Sequence, residues 1–152
     1  MVDEIVEEVR QFAVQLLDRA HLDLRVAVET SQGEVVVELS GQDSELVLTK
    51  NARLLHAVNH LVSQSFYRRA RGQHSFVVDC NGYRATRTAE LELLADKAAD
   101  KAARSCRPFH FQPMPAGDRR IIHLFLAHRE EVRTESDGRG TYRRVIVVPE
   151  NA

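Results

Sequence analysis

Three side chains near residue 120 have the types and the spacing needed to bind an anion. Arg119, Arg120 and His123 follow Pro115, which fits the first turn of a helix because its missing N–H is not needed there. A helix turns by about 100° per residue, so Arg119 and His123, four positions apart, share one face. A guanidinium beside an imidazole makes a cationic surface that suits a phosphate or a flat ring. The other interpretation is an ordinary amphipathic helix with a solvated basic face.

The same helix has an apolar side that predicts its orientation. We expect the apolar arc to face the core and the basic side to face solvent. The arc comprises Ile121, Ile122, Leu124, Phe125 and Leu126.

The distribution of charge supports an anionic partner for the later part of the chain. Residues 1–48 hold eleven acidic and three basic residues, a net of −8, whereas residues 49–152 hold eleven acidic and eighteen basic residues, a net of +7. Only Lys50, Lys97 and Lys101 are lysines. Arginine offers a planar fork for phosphate and a flat face for bases, which favours nucleic acid.

Composition limits the class of protein. The chain has 152 residues, 43% of them hydrophobic, enough for one ordinary domain or two small ones. No run reaches the roughly 18–20 apolar residues of a membrane span, and residues 1–4 lack the basic start of a signal peptide. We therefore expect a cytoplasmic protein without membrane insertion. Cys80 and Cys106, 26 positions apart, predict two reduced thiols rather than a disulfide framework or a zinc site.

Hydrophobic periodicity divides the chain into two sets of elements. In residues 1–80, helical spacing marks 3–20 and 54–66, and alternation marks strands at 24–28, 34–39 and 75–79. In residues 81–152, a long helix after Gly82 precedes a short strand at 109–111, the helix with Arg119, a strand near 132–134 and a β-branched strand at 142–148. The prediction is an α+β fold of two small modules, α-β-β-α-β and then α-β-α-β-β.

A longer pattern surrounds the Arg-x-x-x-His spacing. It comprises Tyr83-Arg84, Leu91, Leu94-Ala95, Pro113-Met114, Arg119-Arg120-Ile121-Ile122-His123, Val132, Thr134, Ser136, Gly138 and Tyr142-Arg143-Arg144-Val145. This pattern resembles the R-three-H domain, and the whole is similar to the bacterial Jag (SpoIIIJ-associated) family, in which a KH domain precedes a C-terminal R-three-H domain. The resemblance implies that residues 81–152 form a domain that binds single-stranded nucleic acid.

The first part of the chain resembles the KH domain of that family, with a changed loop. Asp43-Ser44, Leu46-Val47-Leu48 and Leu55-His56-Ala57 are similar to the residues flanking the family's Gly-x-x-Gly loop. At the loop itself the chain reads Thr49-Lys50-Asn51-Ala52. Glycine lets a nucleic-acid backbone pass close to the main chain, and Thr49 and Ala52 each add a β-carbon. The resemblance therefore implies that residues 1–80 form a KH-like domain with a degenerate loop.

The resemblance and the charge together predict a binding site for single-stranded RNA, with single-stranded DNA left open, in a protein with a regulatory role. The arginines and the lysine would contact phosphates, while His123 and Tyr142 would offer ring faces or hydrogen bonds to bases and sugars. The predicted site residues are Arg119, Arg120, His123, Tyr142, Arg143, Arg144, Arg84, Lys50 and Arg53.

Three other functions compete with this prediction. The alternative from another class is a protein-interaction scaffold, whose KH-like half pairs with a second KH-domain protein or with itself while RNA binding is weak or incidental. His56 and His60 are four apart on a predicted helix, but there is no obvious third ligand, so we predict no metal and no cofactor. A nuclease using His123 as a base would need a nucleophile or metal-binding carboxylates, so we predict no enzyme.

Overall fold

The computed structural model describes residues 2–31, 33–70 and 73–150. These residues form four α-helices, six strands and one short 3-10 helix, which confirms an α+β fold of small modules. The chain divides into two compact units, Met1–Arg84 and Ala85–Ala152. No helix in the described ranges is both long enough and apolar enough to cross a membrane.

The first unit has the predicted order of elements and one mixed sheet. Strand order is β1-β2-β3, with β1 antiparallel to β2 and β2 parallel to β3, so α2 is the crossover that a parallel pair requires. Val35, Val37 and Leu39 alternate along β2 and are fully buried in the core of the unit. Its elements are α1 (Val2–Arg19), β1 (Arg25–Ser31), β2 (Glu34–Ser40), α2 (Ser44–Phe66) and β3 (Ser75–Cys80).

Helix α2 is interrupted where the degenerate loop is predicted. Thr49 is extended, and Lys50, Asn51 and Ala52 have left-handed φ angles of 51°, 59° and 54°. This conformation costs a residue with a β-carbon roughly 1–2 kcal/mol. Ala52 is fully buried, so its methyl group belongs to the core. Periodicity predicts the helix only from residue 54, because the break hides the helical residues that begin at Ser44.

The second unit packs two helices on an antiparallel sheet of strand order β4-β6-β5. A row of alanines, among them Ala95 and Ala99, lets α3 lie close to the core residues Ile122, Val145 and Val147. Its elements are α3 (Tyr83–Ser105, beginning at the unit boundary), β4 (Phe109–His110), α4 (Ala116–Leu126), β5 (Val132–Asp137), a 3-10 helix (Gly140–Tyr142) and β6 (Arg144–Pro149).

A single arginine links α3 to the segment before β5. Arg129 donates from Nη1 to Asp96 Oδ1, from Nη2 to Asp100 Oδ1 and from Nε to Glu131 Oε1, each at 2.7 Å. Two of the three carboxylates come from α3, and the third, that of Glu131, comes from the residue just before β5. Their shared guanidinium therefore fixes where the chain turns from α4 into the edge strand β5.

The predicted apolar arc of α4 is wrong at two positions. Ile122 and Leu126 are buried, but the side chain of Leu124 is 60% exposed and that of Phe125 is 37% exposed. A sheet of three strands covers only a narrow stripe of the helix, so residues at the flanks of a broad arc stay in solvent. Asp118 is buried instead, on the side of α4 that meets α3.

The closing strand begins later than the sequence predicts. The prediction of a strand from residue 142 is wrong at its first two residues, because Tyr142 ends the 3-10 helix and β6 begins at Arg144. Gly138 has a φ of +91°, and a β-carbon there would lie 2.7 Å from the carbonyl oxygen of Tyr142. A glycine is therefore needed at 138 for this close turn, which lifts Tyr142 and Arg143 out of the sheet.

Candidate nucleic-acid interface

His123 is held by two hydroxyl groups of the neighbouring strand. Its Nδ1 lies 2.6 Å from Thr134 Oγ1 and its Nε2 lies 2.9 Å from Ser136 Oγ. Residues two apart on a strand share a face, so β5 presents both hydroxyls to α4. A neutral imidazole has one donor and one acceptor nitrogen, and a hydroxyl can serve either. Both ring nitrogens are thus satisfied inside the protein, and the imidazole joins α4 to β5.

The surroundings of His123 disfavour its charged form. Burial lowers the pKa of this imidazole below 6.5, and the nearby positive charges of Arg119 and Arg143 lower it further. The desolvation and the repulsion act in the same direction, because each penalises an added proton. His123 is therefore the neutral member of a cluster that is otherwise cationic.

Arg119 and Arg143 reach this cluster from different elements. Arg119 lies in the first turns of α4, and Arg143 follows the 3-10 helix, where its carbonyl accepts the N–H of Met114 at 3.1 Å. Tyr142 stands beside Arg143 and has 78% of its surface exposed. The structure thus brings two guanidiniums close to one imidazole, from residues about 25 or fewer positions apart in sequence, and the exposed Tyr142 directly precedes one of these arginines.

The acidic side chains of this unit are paired with other arginines. Eight of the ten acidic residues between 85 and 150 lie within 4.0 Å of an arginine nitrogen. In the described part of the chain, Arg119, Arg120 and Arg143 make no ion pair with any of them. The pairs are Glu90 and Asp118 with Arg87, Asp96, Asp100 and Glu131 with Arg129, Glu135 and Glu150 with Arg133, and Asp137 with Arg144.

This pairing explains a positive site in a unit of low net charge. Residues 85–152 hold twelve basic and ten acidic residues, a net of +2, and residues 1–84 hold nine basic and twelve acidic residues, a net of −3. The split of −8 and +7 found by dividing the sequence at residue 48 is therefore much weaker when it is counted by structural unit. Local arrangement makes the surface around Arg119 basic, because its acids are neutralised elsewhere.

Other predicted site residues are placed less favourably or in the first unit. Arg120 lies on α4 without an acidic partner in the described ranges, and Arg144 lies 3.7 Å from Asp137, so its charge is partly compensated. In the first unit, Lys50 is exposed in the break of α2 and Arg53 is exposed just after it. Arg84 ends that unit, and its backbone N–H donates to Asp79 Oδ1 at 3.1 Å.

Sequence reasoning assigned no site role to Thr134 and Ser136. Part of a signal was present, since Thr134 lies in the strand predicted near 132–134, after the helix carrying His123. Ser136 lies beyond that predicted strand but within β5, which extends to Asp137. The sequence does not show which face of β5 lies against α4. As for a metal, His56 and His60 are both exposed, and the described ranges contain no group of three or more potential ligands placed to hold an ion.

Comparison with known proteins identifies the class of this fold. Residues 89–149 match the family model of the R-three-H domain, a range that contains α4, β5, β6 and the whole cluster around His123. The chain is thus a protein with an R-three-H domain. The wider similarity confirms the resemblance to the Jag family that the sequence pattern carries.

The similar proteins are bacterial and longer than this chain. Over 139 residues the chain is 31% identical to the RNA-binding protein KhpB of Clostridium symbiosum, covering 90% of this chain and 63% of that protein. It is 28% identical over 124 residues to the RNA-binding protein KhpB of Bacillus subtilis (strain 168), covering 80% of this chain and 60% of the relative. The chain therefore spans about three fifths of the length of these relatives.

Proposed function

We propose that this protein binds single-stranded RNA without covalent chemistry, through the surface formed by Arg119, His123, Tyr142 and Arg143. The observation that carries the proposal is the pairing of acids with other arginines, which leaves Arg119 and Arg143 without an acidic partner in the described residues. Guanidiniums hold phosphates through charge-assisted hydrogen bonds, and an aromatic face stacks on a base. The names of the relatives point to RNA and favour this function over a protein-interaction scaffold.

Within this proposal His123 has a structural role in addition to any contact with RNA. Both ring nitrogens already face hydroxyls, so a ligand can use the ring face but must displace Thr134 or Ser136 to use a nitrogen. Arg120 is exposed and would add a further phosphate contact, whereas Arg144 would contribute a weaker one because Asp137 partly compensates its charge. Lys50 and Arg53 stay proposed as phosphate contacts of the KH-like part, which is itself a proposed assignment for the first unit, and Arg84 stays proposed as a phosphate contact at the start of the R-three-H part.

The geometry around His123 also supports a binding protein rather than a hydrolase. Ser136 Oγ lies 2.9 Å from Nε2, as a nucleophile would lie from its base. The group at Nδ1 is the hydroxyl of Thr134, however, whereas a catalytic triad places there a carboxylate that stabilises the imidazolium. Two nearby guanidiniums disfavour the imidazolium further. His123 is therefore poorly suited to take a proton from Ser136.

The proposal is tested by measuring the affinity of the full chain for a labelled single-stranded RNA by fluorescence anisotropy. If two or three phosphates are neutralised, the log–log dependence of affinity on salt should have a slope of roughly −1.5 to −2. Arg119→Ala with Arg143→Ala should weaken binding by about a hundredfold or more, since each removes a charge-assisted contact of roughly 1.5–3 kcal/mol.

A matched control removes the same charge elsewhere. Arg10→Ala with Arg133→Ala also deletes two exposed arginines, but both are paired with acids of their own elements. This variant should change affinity by less than about twofold, because paired surface charges contribute little. Equal losses of affinity in the two double variants would show that RNA binding depends only on the net charge of the protein, and would contradict the proposed surface.

A further inference from the structure

We propose that RNA binding at this interface is coupled to the uptake of a proton by His123, and that Thr134 and Ser136 are the positioning residues that allow it. The inference rests on the proposed function, since it concerns the same surface, and it adds a way in which that surface is regulated. It follows from the two hydroxyls at the ring and from the charges that face it.

The hydrogen bonds of His123 suit both the neutral and the charged ring. In the neutral state one nitrogen donates to a hydroxyl and the other accepts from a hydroxyl. In the imidazolium both nitrogens donate, and a hydroxyl accepts as readily as it donates because its hydrogen can rotate. Thr134 and Ser136 can therefore hold the ring in one place in either state. No hydrogen bond is lost when the proton arrives.

The charged groups that face His123 oppose the uptake of a proton while the site is empty. On its own helix the nearby charge is Arg119, and from the segment after the 3-10 helix it is Arg143; together with burial they lower the pKa of the ring. From β5 the facing groups are the neutral hydroxyls, and the β6 residues that pair with them are apolar. The carboxylates of these elements have other partners: Asp118 with Arg87, Glu135 with Arg133 and Asp137 with Arg144.

A phosphate bound by Arg119 and Arg143 would reverse this balance. Its negative charge offsets the two guanidiniums and attracts a proton to the ring near them. The pKa of His123 in the complex should then exceed its value in the free protein, which lies below 6.5. Affinity must rise as pH falls through the window between these two pKa values, and it must be flat on either side.

The experiment measures the affinity of the full chain for an oligouridylate at constant ionic strength over a range of pH. Uridine is chosen because its base does not titrate between about pH 5 and pH 8, the range in which histidine does. The wild type should bind roughly threefold to tenfold tighter at about pH 5.5 than at about pH 8, since one coupled proton changes affinity by at most tenfold per pH unit. His123→Gln should remove this dependence.

The positioning role is tested with a pair of conservative variants. Thr134→Val keeps the shape of the side chain but removes the acceptor for Nδ1, so the dependence on pH should shrink. Thr134→Ser keeps the hydroxyl and should retain the dependence. A purely structural role for Thr134 would change affinity equally at every pH, and that result would overturn its assignment as a positioning residue.

A direct measurement keeps the inference testable even if a variant folds poorly. The ring C–H signal of His123, followed by NMR in the wild type, should give a higher pKa with oligouridylate than without it. An unchanged pKa, or wild-type affinity that is flat in pH, overturns the coupling. If Arg119→Ala with Arg143→Ala still weakens binding in that case, the proposed function stands without it. An absence of RNA binding at every pH would overturn both.

Discussion

Arg87 holds Asp118 through two guanidinium nitrogens that converge on one carboxylate oxygen. Nε and Nη2 of Arg87 lie 3.0 and 2.9 Å from Oδ2 of Asp118, whose side chain is 8% exposed. The pair joins α3 to the first turn of α4, where an acid is also favoured by the helix dipole. Arg119, which we propose to bind a phosphate, directly follows Asp118. The buried pair therefore fixes the position on α4 from which the Arg119 side chain projects.

Removing this carboxylate should destabilise the second unit. Asp118→Ala removes the two hydrogen bonds that Nε and Nη2 of Arg87 donate to this buried carboxylate, so we expect a loss of about 2–3 kcal/mol of unfolding free energy. Asp137→Ala is the matched control, because that carboxylate is 58% exposed and 3.7 Å from Arg144. It should cost less than about 1 kcal/mol. Urea denaturation compares the two, and equal losses would contradict a structural role for the buried pair.

Tyr142 should contribute to RNA affinity but not to stability. The residue is 78% exposed, so little packing is lost in Tyr142→Ala. If a base stacks on the ring, that change should weaken RNA binding by about 1–3 kcal/mol, whereas Tyr142→Phe should keep most of the affinity. Tyr67→Ala is the control, since Tyr67 is 62% exposed in the first unit. An anisotropy titration in which both alanine variants bind alike would argue against stacking on Tyr142.

The stability of the protein should depend on pH through His123. Its folded-state pKa lies below its ordinary value of 6.5, so between these two values the unfolded chain binds more protons than the folded one. Stability therefore rises with pH through that window and is lost as pH falls below about 6.5. His123→Gln should weaken this dependence. Denaturation at several pH values checks it, and identical pH profiles for the two proteins would exclude His123 as the source.

Two glycines of the second unit should respond to alanine in opposite directions. In Gly138→Ala the new methyl group would lie 2.7 Å from the Tyr142 carbonyl oxygen at a φ of +91°, so we expect a loss of about 2 kcal/mol or more. Gly117 lies in α4 with open space where a β-carbon would be added, and Gly117→Ala should stabilise by about 0.5–1 kcal/mol. Thermal melting measures both. RNA affinity should fall only for Gly138→Ala, which disturbs the turn carrying Tyr142.

Replacing a lysine by glycine should likewise have opposite effects on stability at two sites. Lys50 has a φ of 51°, which glycine adopts without strain, so Lys50→Gly should raise stability by about 0.5–1 kcal/mol. Lys97 lies inside α3, and Lys97→Gly should lower stability by about 1 kcal/mol. Urea denaturation distinguishes the signs. A loss in both variants would mean that the break in α2 is not strained at Lys50.

The order of elements could be predicted because periodicity reports it directly. A run of three consecutive valines marks β2, and three-to-four spacing marks α1 and α2, so each strand and α-helix of both units was expected in its place. Boundaries were less predictable where a special backbone intervenes. The left-handed residues after Thr49 divide α2, and the turn at Gly138 moves the start of β6 beyond Tyr142. Neither conformation changes the hydrophobic pattern from which the elements are inferred.

The binding site was only partly visible in the sequence, because its chemistry depends on contacts between elements. The spacing of Arg119 and His123 predicted their common helix. The hydroxyl partners of His123 follow from the register of β5, which spacing does not encode. Exposure of Leu124 depends on how much of α4 the small sheet covers. The pairing of acids with Arg129 and Arg87, which leaves Arg119 unpaired in the described ranges, likewise requires the folded arrangement.

The alternation along β5 limits how evolution can change the length of the chain before it. Thr134 and Ser136 point to α4, while Arg133, Glu135 and Asp137 lie on the other face. A deletion or insertion of one residue between 127 and 131 that shifts the strand by one position would keep the sheet but turn charged side chains toward the imidazole. Only changes in length that keep Thr134 and Ser136 on the face toward α4 can keep the imidazole of His123 in place. The short connection should therefore tolerate substitution far better than a change in length.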